Sequence, residues 1–182
     1  MKNKTYYKNR GFTLPEIMIA ILIAGVLLTI GMPRLNKVIE GRQLVGQATE
    51  VASALSFARA EATSRGSNVV ICSSEDRSTC SDDNDWSTGW IIYSDKNGDG
   101  IATDPTEAEI LKTEGAMNGE VTLVADVTFL SFNQSGEASS SGVFHLCSGN
   151  AEASDLASNK SRLVTVNNVG SANISMGNAT CN

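Results

Sequence analysis

The residues best placed to do chemistry lie at the amino end. Gly11-Phe12-Thr13-Leu14-Pro15-Glu16 follows a basic leader carrying Lys2, Lys4, Lys8 and Arg10, and it precedes the apolar run from Ile17 to Met32. The basic leader holds the first residues in the cytoplasm, and the stretch from Phe12 to Met32 is long enough to cross a bilayer as a helix. One carboxylate stands in that stretch. An ionised Glu near hydrocarbon costs roughly 2.5 to 3.5 kcal/mol on insertion scales, so Glu16 calls for a cationic partner. Cutting between Gly11 and Phe12 creates one, a free amine at Phe12. The segment therefore reads as a processing and assembly signal. A cleavable secretory signal would end its short apolar core at a small-residue site, which is missing before Pro33. A plain signal anchor would have no use for Glu16. Pro15 is compatible with a helix starting at Phe12, because in the first turn its missing N–H has no intrahelical acceptor to lose.

This G-F-T-L-x-E pattern ahead of a membrane-length apolar helix resembles the class III signal of type IV pilins and type II secretion pseudopilins, although that family more often has an aliphatic residue where Pro15 stands. The resemblance implies a membrane-embedded prepilin peptidase that cuts between Gly11 and Phe12 and methylates the Phe12 amine. It also implies that Glu16 pairs with the Phe12 amine of a neighbouring subunit in a helical filament. Pilins carry a glycine and a proline where Gly25 and Pro33 stand, which implies that this stretch melts on entering the filament.

The apolar pattern continues past Pro33 at Leu35, Val38, Ile39, Leu44, Val45, Ala48, Val51, Ala52, Leu55 and Ala58, a helical stripe whose other side carries Lys37, Glu40, Arg42, Gln47 and Glu50. Gly66 is a natural stop, so one helix is expected from Phe12 to Arg65, with Pro33 interrupting it and Gly25, Gly31, Gly41 and Gly46 loosening it. The expected organisation is a cleaved leader at 1–11, a transmembrane and polymerisation helix at 12–33, an amphipathic half-helix at 34–66 and a periplasmic β-rich head at 67–182. The head carries 5 Lys or Arg against 16 Asp or Glu from Ser67 onward. So acidic a surface repels phosphate backbones and weighs against nucleic-acid binding. Cys72, Cys80, Cys147 and Cys181 all fall on the side opposite the basic leader, the periplasm, where disulfides persist. Of the three pairings four cysteines allow, Cys72 with Cys80 and Cys147 with Cys181 are expected, the second pinning the C-terminus to a core strand. A four-thiolate zinc site is disfavoured by the lack of any C-x-x-C pair.

After Gly66 the period shortens. Asn68–Cys72, Gly89–Ser94, Glu109–Lys112, Val121–Val124, Val127–Phe132, Val143–Cys147 and Arg162–Val166 read as strands between Gly, Asn, Asp and Ser clusters, the punctuation of an antiparallel sheet. The fold class is α+β, a long N-terminal helix packed against a C-terminal antiparallel head. Phe57-Ala58-Arg59-Ala60-Glu61-Ala62, Val69-Val70-Ile71-Cys72, Trp86 with Gly89-Trp90-Ile91-Ile92-Tyr93-Ser94-Asp95, Phe132-Asn133-Gln134-Ser135-Gly136 and Phe144-His145-Leu146-Cys147 together resemble the GspH/FimT family of minor pilins and pseudopilins. The resemblance implies a FimU-like subunit near a filament tip that helps other minor subunits to initiate type IV pilus assembly, with a GspH-type pseudopilin of type II secretion as the alternative. Its implied partners are other pilins or pseudopilins, the prepilin peptidase and an inner-membrane assembly platform. A FimT-like DNA receptor is a further alternative. DNA-binding members end with a basic G-R-x-R type motif, however, and the matching stretch here, Val169-Gly170-Ser171-Ala172-Asn173-Ile174, has no arginine.

Asp95-Lys96-Asn97-Gly98-Asp99-Gly100 opens like a calcium loop, with oxygens at alternate positions and a glycine for the turn. The twelfth position is Thr106, with Glu107 one place late, so a polar turn is favoured over calcium held by Asp95, Asn97 and Asp99. His145 has no pattern of nucleophile or carboxylate partners, and no enzyme activity and no cofactor are expected. Trp86 and Trp90 read as core and turn packing; Arg59 and Glu61 could form interactions with neighbouring subunits, but a solvated helix face is the favoured reading.

Overall fold

A computed structural model describes residues 12–95, 109–118, 121–149 and 161–177. Side chains at 30–38 and at 40 lie outside the described set. One helix, α1 (Leu14–Arg65), is followed by eight strands: β1 (Asn68–Ser73), β2 (Trp90–Asp95), β3 (Glu109–Glu114), β4 (Val121–Ala125), β5 (Phe129–Phe132), β6 (Gly142–Ser148), β7 (Ser161–Val166) and β8 (Ala172–Met176). The chain divides into two compact units, 1–39 and 40–182.

In the first unit α1 begins at Leu14, two residues later than the sequence pattern suggests. The Thr13 carbonyl accepts from the N–H groups of Glu16 (3.1 Å) and Ile17 (3.3 Å), which fixes the first turn there. The helical assignment runs through position 33 unbroken.

In the second unit the stop falls where expected. Gly66 adopts φ 62° and its N–H donates to the Ala62 carbonyl at 3.0 Å, a left-handed C-cap that only glycine adopts cheaply. The buried stripe of α1 is Leu44, Gln47, Ala48, Val51, Ala54, Leu55, Ala58 and Ala62. This differs from the sequence pattern at Val45, which is exposed, and at Gln47, whose amide Nε2 donates to the Asn118 carbonyl at 2.5 Å. A side-chain amide can face the core when a backbone oxygen takes its proton.

The antiparallel head is built as two four-stranded sheets, ordered β3-β2-β1-β5 and β4-β6-β7-β8. The helix stripe packs on a core drawn from both: Val69, Ile71, Trp90, Ile92, Leu130 and Phe132 from the first, Leu123, Phe144, Leu146 and Val164 from the second. Burying each large apolar side chain in this layer contributes about 1.5 to 3 kcal/mol. Because side chains alternate across a strand, Val70, Cys72, Ile91 and Tyr93 face the other way and form a second small cluster with Cys80 and Phe129. The β1 and β2 runs are buried on both faces for that reason, and they read as continuous apolar segments.

Trp86 ties the β4–β5 connection to β6. Its Nε1 donates to the Val127 carbonyl at 3.0 Å, and its ring meets Phe144 edge-on at 4.9 Å. The same contact shortens the strand expected at 127–132, because the Val127 carbonyl is committed to Trp86 while Asp126 caps the Val143 N–H at 2.7 Å. The strand β8, absent from the expected set, is an edge whose last four residues are all exposed; its apolar residues Ile174 and Met176 alternate with polar ones and form no run.

Candidate functional site

At the amino end, the side-chain carboxylate of Glu16 accepts from the Thr13 backbone N–H at 3.5 Å. Thr13-Leu14-Pro15-Glu16 has the T-x-x-E spacing in which the third helical residue reaches back to the cap residue's N–H, and its negative charge sits at the favourable end of the helix dipole. The T-x-x-E spacing is a local signal that the sequence itself carries. Every described side chain from Phe12 to Thr29 is exposed, including Phe12, Leu14, Ile17, Met18, Ile19, Ile21, Leu22, Ile23, Val26, Leu27 and Leu28. Apolar surface therefore runs all round this segment, with Glu16 its one charged residue. A β-carbon placed on Gly25 would meet nothing within 4 Å. Among the described residues no helix is long and apolar enough to cross a membrane, and described side chains of the apolar run end at Thr29. Gly11 and the side chain of Pro33 lie outside the described residues.

In the head, Cys72 and Cys80 are joined by a disulfide across a separation of 8 residues. The bond folds the 74–80 loop over the outer face of β1 and β2, which places Cys80 against the cluster of Val70, Ile91 and Tyr93. Asp76 organises the loop. Its carboxylate accepts from the backbone N–H groups of Thr79 and Ser78, both at 2.8 Å, and from the Thr79 hydroxyl at 2.8 Å, and these bonds hold its pKa well below the usual carboxylate range. Cys147, in β6, is also disulfide-bonded. Cys181, the one cysteine of the sequence left to pair with it, lies outside the described residues.

Asp95 closes β2 and is buried, while Asn97 and Asp99 lie outside the described residues. Among the described residues no group of three or more His, Cys, Asp or Glu is placed to hold a metal ion. His145 is half-buried on β6, registered between Val124 of β4 and Leu163 of β7. Glu50, on α1, sits near Glu114 and Lys112 of β3; burial first, then the Glu114 charge, raises its pKa, with Lys112 opposing. Glu61 and Arg65 pair at 2.7 Å, and Arg65 also reaches Glu109 at 3.2 Å.

Arg59 differs from the solvated residue its helix position suggested. It is half-buried beneath two glycine turns, and β-carbons placed on Gly136 and Gly170 would come within 3.0 Å and 3.2 Å of its Nε. Both glycines have φ 77°, and a side chain at Gly170 would also collide with the Gly136 carbonyl, so each turn requires glycine. Helix α1 and the turn at Gly170 frame an open groove of about 430 Å³ lined by Ser56, Arg59, Ala60, Thr63, Gly170, Ser171 and Ala172.

A helix packed on two antiparallel sheets, continued from an exposed apolar helical segment with a carboxylate in its first turn, defines the pilin-type class of structural subunit. The sequence profile described as Type II transport protein GspH matches residues 47–170, and that of the Prokaryotic N-terminal methylation motif matches residues 6–32; the chain belongs to the GspH family of minor pilins and pseudopilins. These are structural subunits rather than enzymes, and they assemble with other pilins or pseudopilins. The fold is similar to that of the type IV minor pilin FimU of Pseudomonas aeruginosa, with 20% identity, 72% of this chain and 92% of that one covered, and a TM-score of 0.54. It is also similar to the minor pseudopilin EpsH from the type 2 secretion system of Vibrio cholerae, with 11% identity, coverage of 74% and 97%, and a TM-score of 0.50. No curated protein sequence matches the chain.

Proposed function

We propose that this chain is a minor pilin that helps to initiate a type IV pilus and resides near its tip. In this reading a prepilin peptidase removes residues 1–11 and methylates the Phe12 amine, residues 12–33 cross the inner membrane once, where an assembly platform is a partner, and the head folds in the periplasm. The observation that carries the reading is the all-round apolar exposure from Leu14 to Leu28 with Glu16 as its sole charge. Such a surface is stable only in lipid or against other apolar helices. The methylation-motif match over residues 6–32 supports the processing step, and the likeness to FimU supports a pilin head. The likeness to EpsH favours a GspH-type pseudopilin as the second reading.

Replacing Gly11 by Leu tests the processing step. The wild-type chain is expected to lose its leader in cells that make a prepilin peptidase, and G11L to persist at precursor length on immunoblots of membranes. Normal shortening of G11L would sink the proposed cleavage site. A DNA-receptor role requires several cations to release counterions from a duplex, and the stretch from Val169 to Ile174 supplies none. The full-length protein in detergent is expected to bind duplex no better than the roughly 10⁻⁴ M end of non-specific affinity at physiological salt. Micromolar binding in a shift assay would promote that role instead.

A further inference from the structure

The groove between α1 and the β7–β8 turn holds a guanidinium with no counter-charge among the described residues. Arg59 lines it and, among the described residues, makes no hydrogen bond or ion pair, whereas Arg65, on the same helix, is engaged by two carboxylates. The turns centred on Gly136 and Gly170 hold the Arg59 side chain from above, so its position is set by packing rather than by an acid. Beside it stand the hydroxyls of Ser56, Thr63 and Ser171, all on exposed residues, and Val169, next to Gly170 in the chain, is 64% exposed.

We propose that this groove receives an acidic side chain of a neighbouring filament subunit, with the partner carboxylate on Arg59 and an apolar neighbour of that residue against Val169. The ligand chemistry follows from the donors. A guanidinium presents paired N–H groups that match the two oxygens of a carboxylate, and the serine and threonine oxygens add neutral polar contact. A nucleic acid is the poorer fit, because its affinity grows with the number of phosphates neutralised and one cation releases about one counterion. A polypeptide also accounts for Val169, since an exposed aliphatic side chain beside a charged pocket is what a protein interface covers. This proposal rests on the filament-subunit reading above.

Two measurements test it separately. In the first, full-length protein labelled with ¹⁵N-arginine in detergent micelles is titrated at constant ionic strength, and the Arg59 Nε–Hε resonance is followed. The probes are N-acetyl-glutamate N-methylamide, its glutamine counterpart and inorganic phosphate. A saturable shift is expected with the glutamate probe and none with the glutamine probe. The shift should be lost in S171E, which keeps Arg59 and supplies a carboxylate within the same chain. No response to the glutamate probe, or tighter binding of phosphate, would overturn the assignment. In the second, the variants are expressed in the filament-forming cell. R59E is expected to lower incorporation about tenfold relative to wild type, the scale of one lost charge-assisted contact, and R59K to retain most of it. Retention of the wild-type urea midpoint by R59E in micelles separates this from misfolding. Normal incorporation of R59E would show that no neighbour's carboxylate uses the groove. Should the wild-type chain itself enter no filament, the subunit reading falls while the micelle titration still decides the groove's chemistry.

Discussion

Glu16 is open to two demands that one pair of substitutions separates. Within its own chain it accepts from the Thr13 N–H at 3.5 Å, a long bond at the weak end of hydrogen-bond geometry. A cap of this kind stabilises by about 0.5 to 2 kcal/mol, and the length argues for the lower figure, roughly a twofold to threefold effect on any equilibrium the helix start controls. Glutamine fills the same capping role, so Glu16→Gln should preserve it and Glu16→Ala should not. Pairing with the Phe12 amine of a neighbour makes a different demand. Both variants then leave an ammonium group among apolar helices without its counter-ion, at roughly 2.5 to 3.5 kcal/mol, which is about a 70- to 400-fold loss of incorporation at 1.36 kcal/mol per factor of ten. The assay is a quantitative immunoblot of sheared filaments against the processed pool left in the membrane. Under the pairing argument both variants are cleaved normally and both all but vanish from filaments. Entry of E16Q at the wild-type level, with E16A reduced a few-fold, would refute pairing and leave Glu16 as a helix cap.

Two further outcomes bear on the head. Removing the loop disulfide by the double substitution C72A/C80A should cost about 2.5 kcal/mol, from the chain entropy restored to a loop of this size, and should lower the urea midpoint of the full-length protein in detergent; a change below about 0.5 kcal/mol would mean that the loop holds its place over Val70 and Tyr93 without the bond. Glu50 has a raised pKa in the folded chain, so its ionised form opposes folding above that pKa and the penalty lifts as pH falls through it toward the ordinary carboxylate range. Glu50→Gln should therefore be at least as stable as wild type at neutral pH and should lose this part of the pH dependence, and destabilisation of E50Q in urea melts at pH 7 would show that the carboxylate is favourably paired.

What could be read from sequence, and what could not, follows the range of the interactions involved. Gly66 as the stop of α1 was legible because a left-handed cap is a local demand on one residue. Seven of the eight strands were legible because each carries its own apolar run. The exception, β8, has its identity set by its partner: its register against β7 is what makes Ala172–Met176 a strand. The division into two sheets was equally hidden, since it depends on β5 pairing with β1 rather than with the adjacent β4 or β6. Gln47 and Val45 exchanged places on the helix because the oxygen that accepts from Gln47 belongs to Asn118, 71 residues away.

The same distinction governs the sites. At the amino end everything needed is contiguous: a cleavable glycine, the residue whose amine is freed, a carboxylate at capping distance and an apolar run, so the chemistry is written along the chain. The Arg59 groove is lined from two segments, α1 and 170–172, and what covers Arg59 is the backbone of two turns, at Gly136 and Gly170. A sequence pattern reports side chains and is silent on which backbone approaches them, so an arginine on the polar side of a helix reads as solvated until the turns are placed over it. The stretch from Val169 to Ile174 carries no arginine of its own. In the folded head that turn lies against an arginine supplied by the helix, one cation where a duplex would need several and a protein carboxylate needs only one.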